Sequence, residues 1–226
     1  MKSWALIAAA AWALCATAAL AQTSGHTSAR AEGDALLSAA RARDLFDNLT
    51  APGAGDIKLR HKASGLICAF NPGDPSNSVV VFDAAVRGDE IACTTAGEAG
   101  TRALYATRAP GRTLDLAFAH DVETVRRSHP GAQAYDLPAD ARDGGVLALL
   151  DAPPLPASRT ARFIADHQFT SVSSAIVDGW AIEFRYSCPE ERQDVAAAVV
   201  QPTLWVTALA QVSKAPINLT DPKQAV

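Results

Sequence analysis

A chain of 226 residues, 49% of them hydrophobic, is long enough for one domain with a sizeable core. Its 20 basic and 24 acidic side chains leave a formal charge of −4 with no basic stripe, which argues against nucleic acid or an anionic membrane as partner. The four cysteines lack the close Cys or His spacing of a zinc site, so a zinc-built fold is excluded as well.

Residues 1–21 read as a signal peptide. Lys2 supplies the positive n-region, Trp4 to Leu20 is apolar, and Ala19-Leu20-Ala21 places small residues at the cleavage positions. The Ala-x-Ala site argues against a membrane anchor, and Leu14 stands before Cys15 where lipid attachment wants a small residue. Cleavage leaves a periplasmic or secreted chain starting at Gln22, with Cys68, Cys93 and Cys188 in an oxidising compartment. No later apolar run reads as long enough to span a bilayer, so no transmembrane segment is expected after cleavage.

Residues 22–33 read as a flexible leader, 34–213 as a single domain and 214–226 as a tail. Asp34 is a fair N-cap for a helix through about Asn48, with Ala35, Ala42, Leu45, Phe46 and Leu49 on its apolar stripe. Strands follow at Asp56–Arg60, Gly65–Phe70 and Ser78–Asp83, the last two flanking the turn-rich Asn71-Pro72-Gly73-Asp74-Pro75. Arg87-Gly88-Asp89 resembles an integrin-binding loop but has ordinary turn chemistry before a short strand at Glu90–Thr94. Arg102–Arg108 and Arg112–Ala119 read as a hairpin around Ala109-Pro110-Gly111, and Asp121–His129 as a short helix capped by Asp121. Gly131 to Gly145 is polar and irregular. Gly145–Leu150 is apolar, either strand or helical turn, and Asp151 to Pro156 is a stiff polyproline linker.

The clearest stretch is Phe169 to Val212. Asp178-Gly179 suits a type I′ turn between two β-rich runs, which pairs Val177 with Trp180, Ala175 with Ile182, Ser173 with Phe184 and Phe169 with Cys188. Trp180, Ile182, Phe184, Tyr186 and Cys188 then form the core face, and Ala181, Glu183, Arg185 and Ser187 the opposite one. A capping box, Ser187 with Glu190, and Pro189 in the first turn predict a helix. Val195, Val199, Val206 and Leu209 share its stripe, and Pro202 kinks it near Val200.

Catalytic signals are weak. No Gly-x-Ser-x-Gly elbow occurs. His61 and Ser64 supply a base and a hydroxyl, but three residues along a strand point to opposite faces. His167 lies near Cys188 across the hairpin, yet Cys188 sits on an apolar face where a thiol is usually inert. His120, Asp121, Glu123 and His129 cluster in sequence, but a helix would set His120 and His129 far apart in rotation and height, so a solvated helix start is preferred over a loop-borne metal site and no metal is expected. No dinucleotide fingerprint or phosphate-cradling loop implies a cofactor.

His61-Lys62-Ala63-Ser64-Gly65-Leu66-Ile67-Cys68, with Cys93 and Leu104-Tyr105-Ala106-Thr107-Arg108 downstream, resembles exported proteins of Caulobacter-like bacteria, for which no activity is established. The order of elements is also similar to the Mog1/PsbP-like α+β sandwich, from which the N-terminal helix departs. The reading is α+β: one antiparallel sheet of six to eight strands, with an N-terminal helix and a kinked C-terminal helix packed on it.

The preferred function is a non-enzymatic module binding a protein or small ligand of the cell envelope. The alternatives are a hydrolase or thiol enzyme using His61/Ser64 or His167/Cys188, and a structural envelope protein. A deep pocket joining either pair favours the enzyme, whereas an apolar groove favours binding. Cys68 is expected to pair with Cys93, leaving Cys188 reduced and buried. A simple meander of Gly65–Phe70, Ser78–Asp83 and Glu90–Thr94 would put the two cysteine strands on either side of a third, about 10 Å apart. The pairing therefore requires Glu90–Thr94 to leave that meander.

Overall fold

The computed structural model describes residues 29–97, 100–137 and 155–213. The signal peptide, most of the leader, the apolar run at 145–150, the first part of the linker and the 214–226 tail lie outside these described residues.

Helix α1 covers residues 29–39. Strands β1 (Phe46–Asn48), β2 (Ile57–His61) and β3 (Ile67–Phe70) form a three-stranded antiparallel sheet in that order. Then come β4 (Ser78–Val81), β5 (Glu90–Gly97), β6 (Gly100–Arg108), helix α2 (Leu114–Ser128), β7 (Gln133–Ala134), β8 (Ser158–Ala165), β9 (Gln168–Val177) and β10 (Trp180–Pro189). The seven strands make a second sheet of order β4-β5-β6-β10-β9-β8-β7, with every neighbouring pair antiparallel. A last helical stretch, α3, runs Glu190–Ser213. The α+β class holds, with two sheets where one was expected.

The β9–β10 hairpin forms in the expected register. Val177 faces Trp180, Ala175 faces Ile182, Ser173 faces Phe184 and Phe169 faces Cys188. Asp178 at φ 49° and Gly179 at φ 77° supply the two left-handed residues of a type I′ turn. Trp180, Ile182, Phe184, Tyr186 and Cys188 are all buried. The opposite face is not left to water: α2 lies across it, so Ala181 is buried and the Glu183 side chain is only 12% exposed.

Three helix expectations are corrected. Helix α1 starts by residue 29, inside the expected leader, and ends before Asn48. Arg41 takes φ 52°, its N–H bonds Ser38 O, and Ala42 N–H bonds Leu37 O, which is a Schellman stop. Its buried stripe is Ala29, Gly33 and Leu37, while Ala35 is exposed. Gly33 permits the contact, since a Cβ there would stand 2.9 Å from Asn48 Nδ2 and 3.0 Å from Ile57 Cγ2.

Helix α2 replaces both the strand expected at Arg112–Ala119 and the short helix after it. Thr113 caps it, accepting from Leu116 N, with Asp115 in the first turn and Arg126 and Arg127 in the last. Ala117, Asp121 and Val125 recur every four residues and face the sheet. Asp121 is thus no cap; it is buried and accepts from Ser174 Oγ at 2.7 Å.

At α3 the capping box does not form. Strand β10 continues through Pro189, Ser187 Oγ bonds Thr170 Oγ1, and Glu190 N–H bonds His167 O. Pro202 does disturb the helix. Residues Ala196–Val200 form a π turn, with Gln201 N–H reaching Ala196 O five residues back. The extra residue breaks the expected stripe: Val195 and Val199 are 62% and 45% exposed, whereas Val206 and Leu209 are buried. At 24 residues α3 is long and apolar enough to cross a membrane by length and composition, contrary to the expectation. Half of its most apolar stretch is buried in the fold.

These pieces stack in three layers. Helix α2 covers one face of β8–β10 through Val125, Phe163 and Val172 and through Ala109, Ala117 and Ala181. On the other face, α3 lays Trp205 over Phe184, ring centroids 6.3 Å apart and nearly parallel. Beside α3, the small sheet meets the same face: His61 of β2 lies 5.5 Å from the Trp180 ring. Arg102 of β6 donates to Ala69 O of β3. Cys68 and Cys93 face each other across this junction with Cα atoms 5.8 Å apart, a disulfide distance. The expectation that Glu90–Thr94 would leave the meander is corrected. β4, β5 and β6 stay paired, and β3 departs to join β2.

Candidate functional site

His61 and Ser64 do meet, with Nδ1 and Oγ 2.9 Å apart. The strand argument fails because β2 ends at His61 and the chain turns back, Gly65 N–H bonding His61 O. Both side chains are buried, His61 completely, and neither lines any cavity described below. Ser64 Oγ accepts from Leu66 N–H, so it supports the turn. Burial pushes the imidazole down to about 4 against an upward pull from Asp89, and among the described residues Nε2 has no partner.

His167 and Cys188 do not form a unit. His167 sits in an exposed turn at φ 59° beside Glu190, while Cys188 is buried and burial raises its thiol pKa. A raised thiol is the reverse of an activated nucleophile. Among the described residues no three His, Cys, Asp or Glu side chains gather as a metal site, and His129 instead lies 3.7 Å from Asp166. Arg87-Gly88-Asp89 is a turn whose Arg87 pairs with Asp44.

A cavity of about 290 Å³ lies between β8 and α3. Thr160 and Arg162, two apart, project from the same face of β8. Gln201, Trp205 and Leu209, four apart, come from one face of α3, and Leu155 leads into β8. The π turn sets this phase, since Gln201 is the first residue after it.

A polar chain runs along the floor. Thr160 Oγ1 and Ser173 Oγ are 2.8 Å apart, Gln201 Nε2 donates to Ser173 Oγ at 2.8 Å, and Arg162 Nη2 donates to Gln201 Oε1 at 3.3 Å. Gln201 is 1% exposed and is held at both ends of its amide. Arg162 is half-buried, and burial lowers its pKa against the opposing pull of Tyr135 and Asp136. Among the described residues no carboxylate lies within ion-pair distance of it. Among the described residues Arg162 Nε and Trp205 Nε1 are both buried without an acceptor. These are unusual omissions, because buried donors and charges are normally paired.

Two other arginines are answered where they stand. Arg102, beside a cavity of about 360 Å³, donates to Ala69 O and feels Asp74. Arg159 pairs with Asp115. Among the described residues lining the β8–α3 cavity there is no His, Cys or carboxylate, so these residues supply neither a general base nor a metal ligand. They can bind and orient a guest.

Sequence reasoning missed this site because the β8 region was not assigned at all. The available signal was alternation: Ala161, Phe163 and Ala165 on one face of Ser158–Ala165, with Thr160 and Arg162 on the other. No protein family matches the chain, and no curated protein matches it. A solved structure similar to it is that of cyanobacterial PsbP (CyanoP) from Synechocystis sp. PCC 6803, at 14% identity over 73% of this chain and 94% of that chain, with a TM-score of 0.43. The α+β architecture stands on this chain's own strands and helices.

Proposed function

We propose that this chain is an exported, non-enzymatic module that holds a small ligand in the cavity between β8 and α3. The observation that carries the reading is Arg162, a half-buried guanidinium that lines a mostly apolar cavity, bonds the Gln201 amide and has no ion pair among the described residues, Asp136 acting on it only from beyond ion-pair distance. Taking a cation partly out of water without an ion pair is costly, and an anionic guest offsets part of that cost. The His61/Ser64 and His167/Cys188 enzymes lose support: one pair is sealed in the core and the other is apart. Export is supported by the sequence of residues 1–21 and by Cys68 and Cys93 at disulfide distance.

The test is an NMR titration of ¹⁵N-labelled protein with two eight-carbon probes, 1-octanol and octanoate. Saturable shifts of the Trp205 indole N–H and the Gln201 side-chain amide by either probe support the cavity. If neither probe moves these signals at millimolar concentration, the small-ligand reading is wrong.

A further inference from the structure

Resting on that reading, we infer that the guest is a monocarboxylate of about ten non-hydrogen atoms, most of them in an apolar body. The size follows from the cavity: about 290 Å³ corresponds to about ten water-sized volumes at roughly 30 Å³ each. The lining sets the body. Leu155, Pro202, Trp205, Val206 and Leu209 surround most of the space, and three of these are buried even without a guest. Hydrocarbon or an aromatic ring is well accommodated there, and a sugar or peptide is not, because too few polar groups would answer its donors and acceptors.

The head group follows from Arg162. A guanidinium presents a planar fork that matches a carboxylate with two parallel hydrogen bonds. Among the described residues the Arg162 side chain holds one hydrogen bond, the long 3.3 Å bond to Gln201, and its Nε–H has no acceptor. Gln201 cannot turn away, since its own amide nitrogen is committed to Ser173. The Arg162 side chain is therefore the adaptable member and swings to meet the incoming anion, with the Ser158 and Thr160 hydroxyls on the same face of β8 beside it. One guanidinium balances one charge. A phosphate dianion would bring a second charge to a site whose described lining residues include no second cation, so a singly charged head is selected.

Neutral and cationic guests of the same length separate this inference from the cavity itself. Octanoate, 1-octanol and octylamine are titrated into the protein by calorimetry, with wild type and Arg162→Gln compared. Octanoate is expected to bind wild type roughly ten- to hundredfold tighter than 1-octanol, the range a charge-assisted fork supplies, and octylamine is expected to bind weakest. Arg162→Gln should remove the octanoate advantage and leave 1-octanol within about threefold. Equal binding of octanoate and 1-octanol by wild type overturns the carboxylate inference while leaving the cavity occupied. An octanoate preference that survives in Arg162→Gln overturns the assignment of the head group to Arg162. Binding by none of the three removes the cavity reading itself. Should Arg162→Gln fail to fold, the wild-type ratio of octanoate to 1-octanol still decides.

Discussion

His61 should make the fold acid-sensitive by an amount that can be worked out. The ring is fully buried at the end of β2, between Phe46 at 5.0 Å and Trp180 at 5.5 Å. Burial holds it at about 4 in the folded chain, against an ordinary value of 6.5. Between those values the unfolded chain takes up a proton that the folded chain refuses, so stability is complete above about pH 6.5 and falls as the pH drops toward 4. At about 1.4 kcal/mol per pH unit, the loss between pH 7 and pH 4.5 comes to roughly 2 kcal/mol. The assay is urea unfolding of wild type and His61→Leu at pH 7.0, 6.0, 5.0 and 4.5. Carboxylates titrate alike in both proteins, so the difference in stability isolates the imidazole. Leucine cannot protonate, and the variant should gain on wild type by roughly 2 kcal/mol across that range, whatever its offset at neutral pH. Parallel pH profiles would refute the reasoning, since they would mean that the ring reaches water or a counter-charge in the folded state.

Other positions give sharper yes-or-no outcomes. Gly100→Ala should cost about 2–4 kcal/mol by thermal melt, because its Cβ would meet Ser187 O at a bonded-like approach at φ 125°, whereas Gly97→Ala, with open space around it, should stay within about 1 kcal/mol. Phe184→Asp should abolish cooperative unfolding, since it sets an unpaired carboxylate in the core. Glu183→Ala should cost about 1–2 kcal/mol in urea, because Glu183 lies under α2 and its loss strips the partly buried Arg185 of its ion-pair partner. Non-reducing peptide mapping should join the Cys68 and Cys93 peptides and leave Cys188 free. Replacing Cys68 and Cys93 by serine should cost roughly 3 kcal/mol of loop-closure entropy for a separation of 25 residues.

What could be read from the chain alone was local. The β9–β10 hairpin depends on two residues at its turn and on side chains alternating beside it, so its register followed from ten contiguous pairs of positions. Helix ends were harder where their chemistry is atypical. The α1 stop uses Arg41 in the left-handed region, where glycine would have been the visible signal. In Arg112–Ala119, Leu114, Leu116 and Phe118 alternate like a strand, but the face that packs is Ala117, Asp121 and Val125, and Leu116 is 63% exposed. A small residue and a buried acid do not announce a core face. Phase was lost in α3 for a related reason: a proline signals disturbance, not whether the helix bends, breaks or takes in an extra residue.

The cavity was illegible for a deeper reason than weak patterning. Arg162 on β8 and Gln201, Trp205 and Leu209 on α3 are ordinary residues in ordinary settings, and none belongs to a motif. What distinguishes them is relational. Gln201 is held by Ser173 of β9, while Arg162 projects beside it with no carboxylate in range among the described residues. Arg159, three residues earlier on the same strand, looks equivalent in sequence, yet it points to the α2 side and finds Asp115. Arg162 lies on the opposite side of the sheet and finds an amide. Strand pleat and the arrival of α3 thus turn one arginine into a surface ion pair and the other into a guanidinium with no ion pair among the described residues. An absent partner exists only in three dimensions, which is why the most informative residue of this chain carried no signal until the sheet and the last helix were put together.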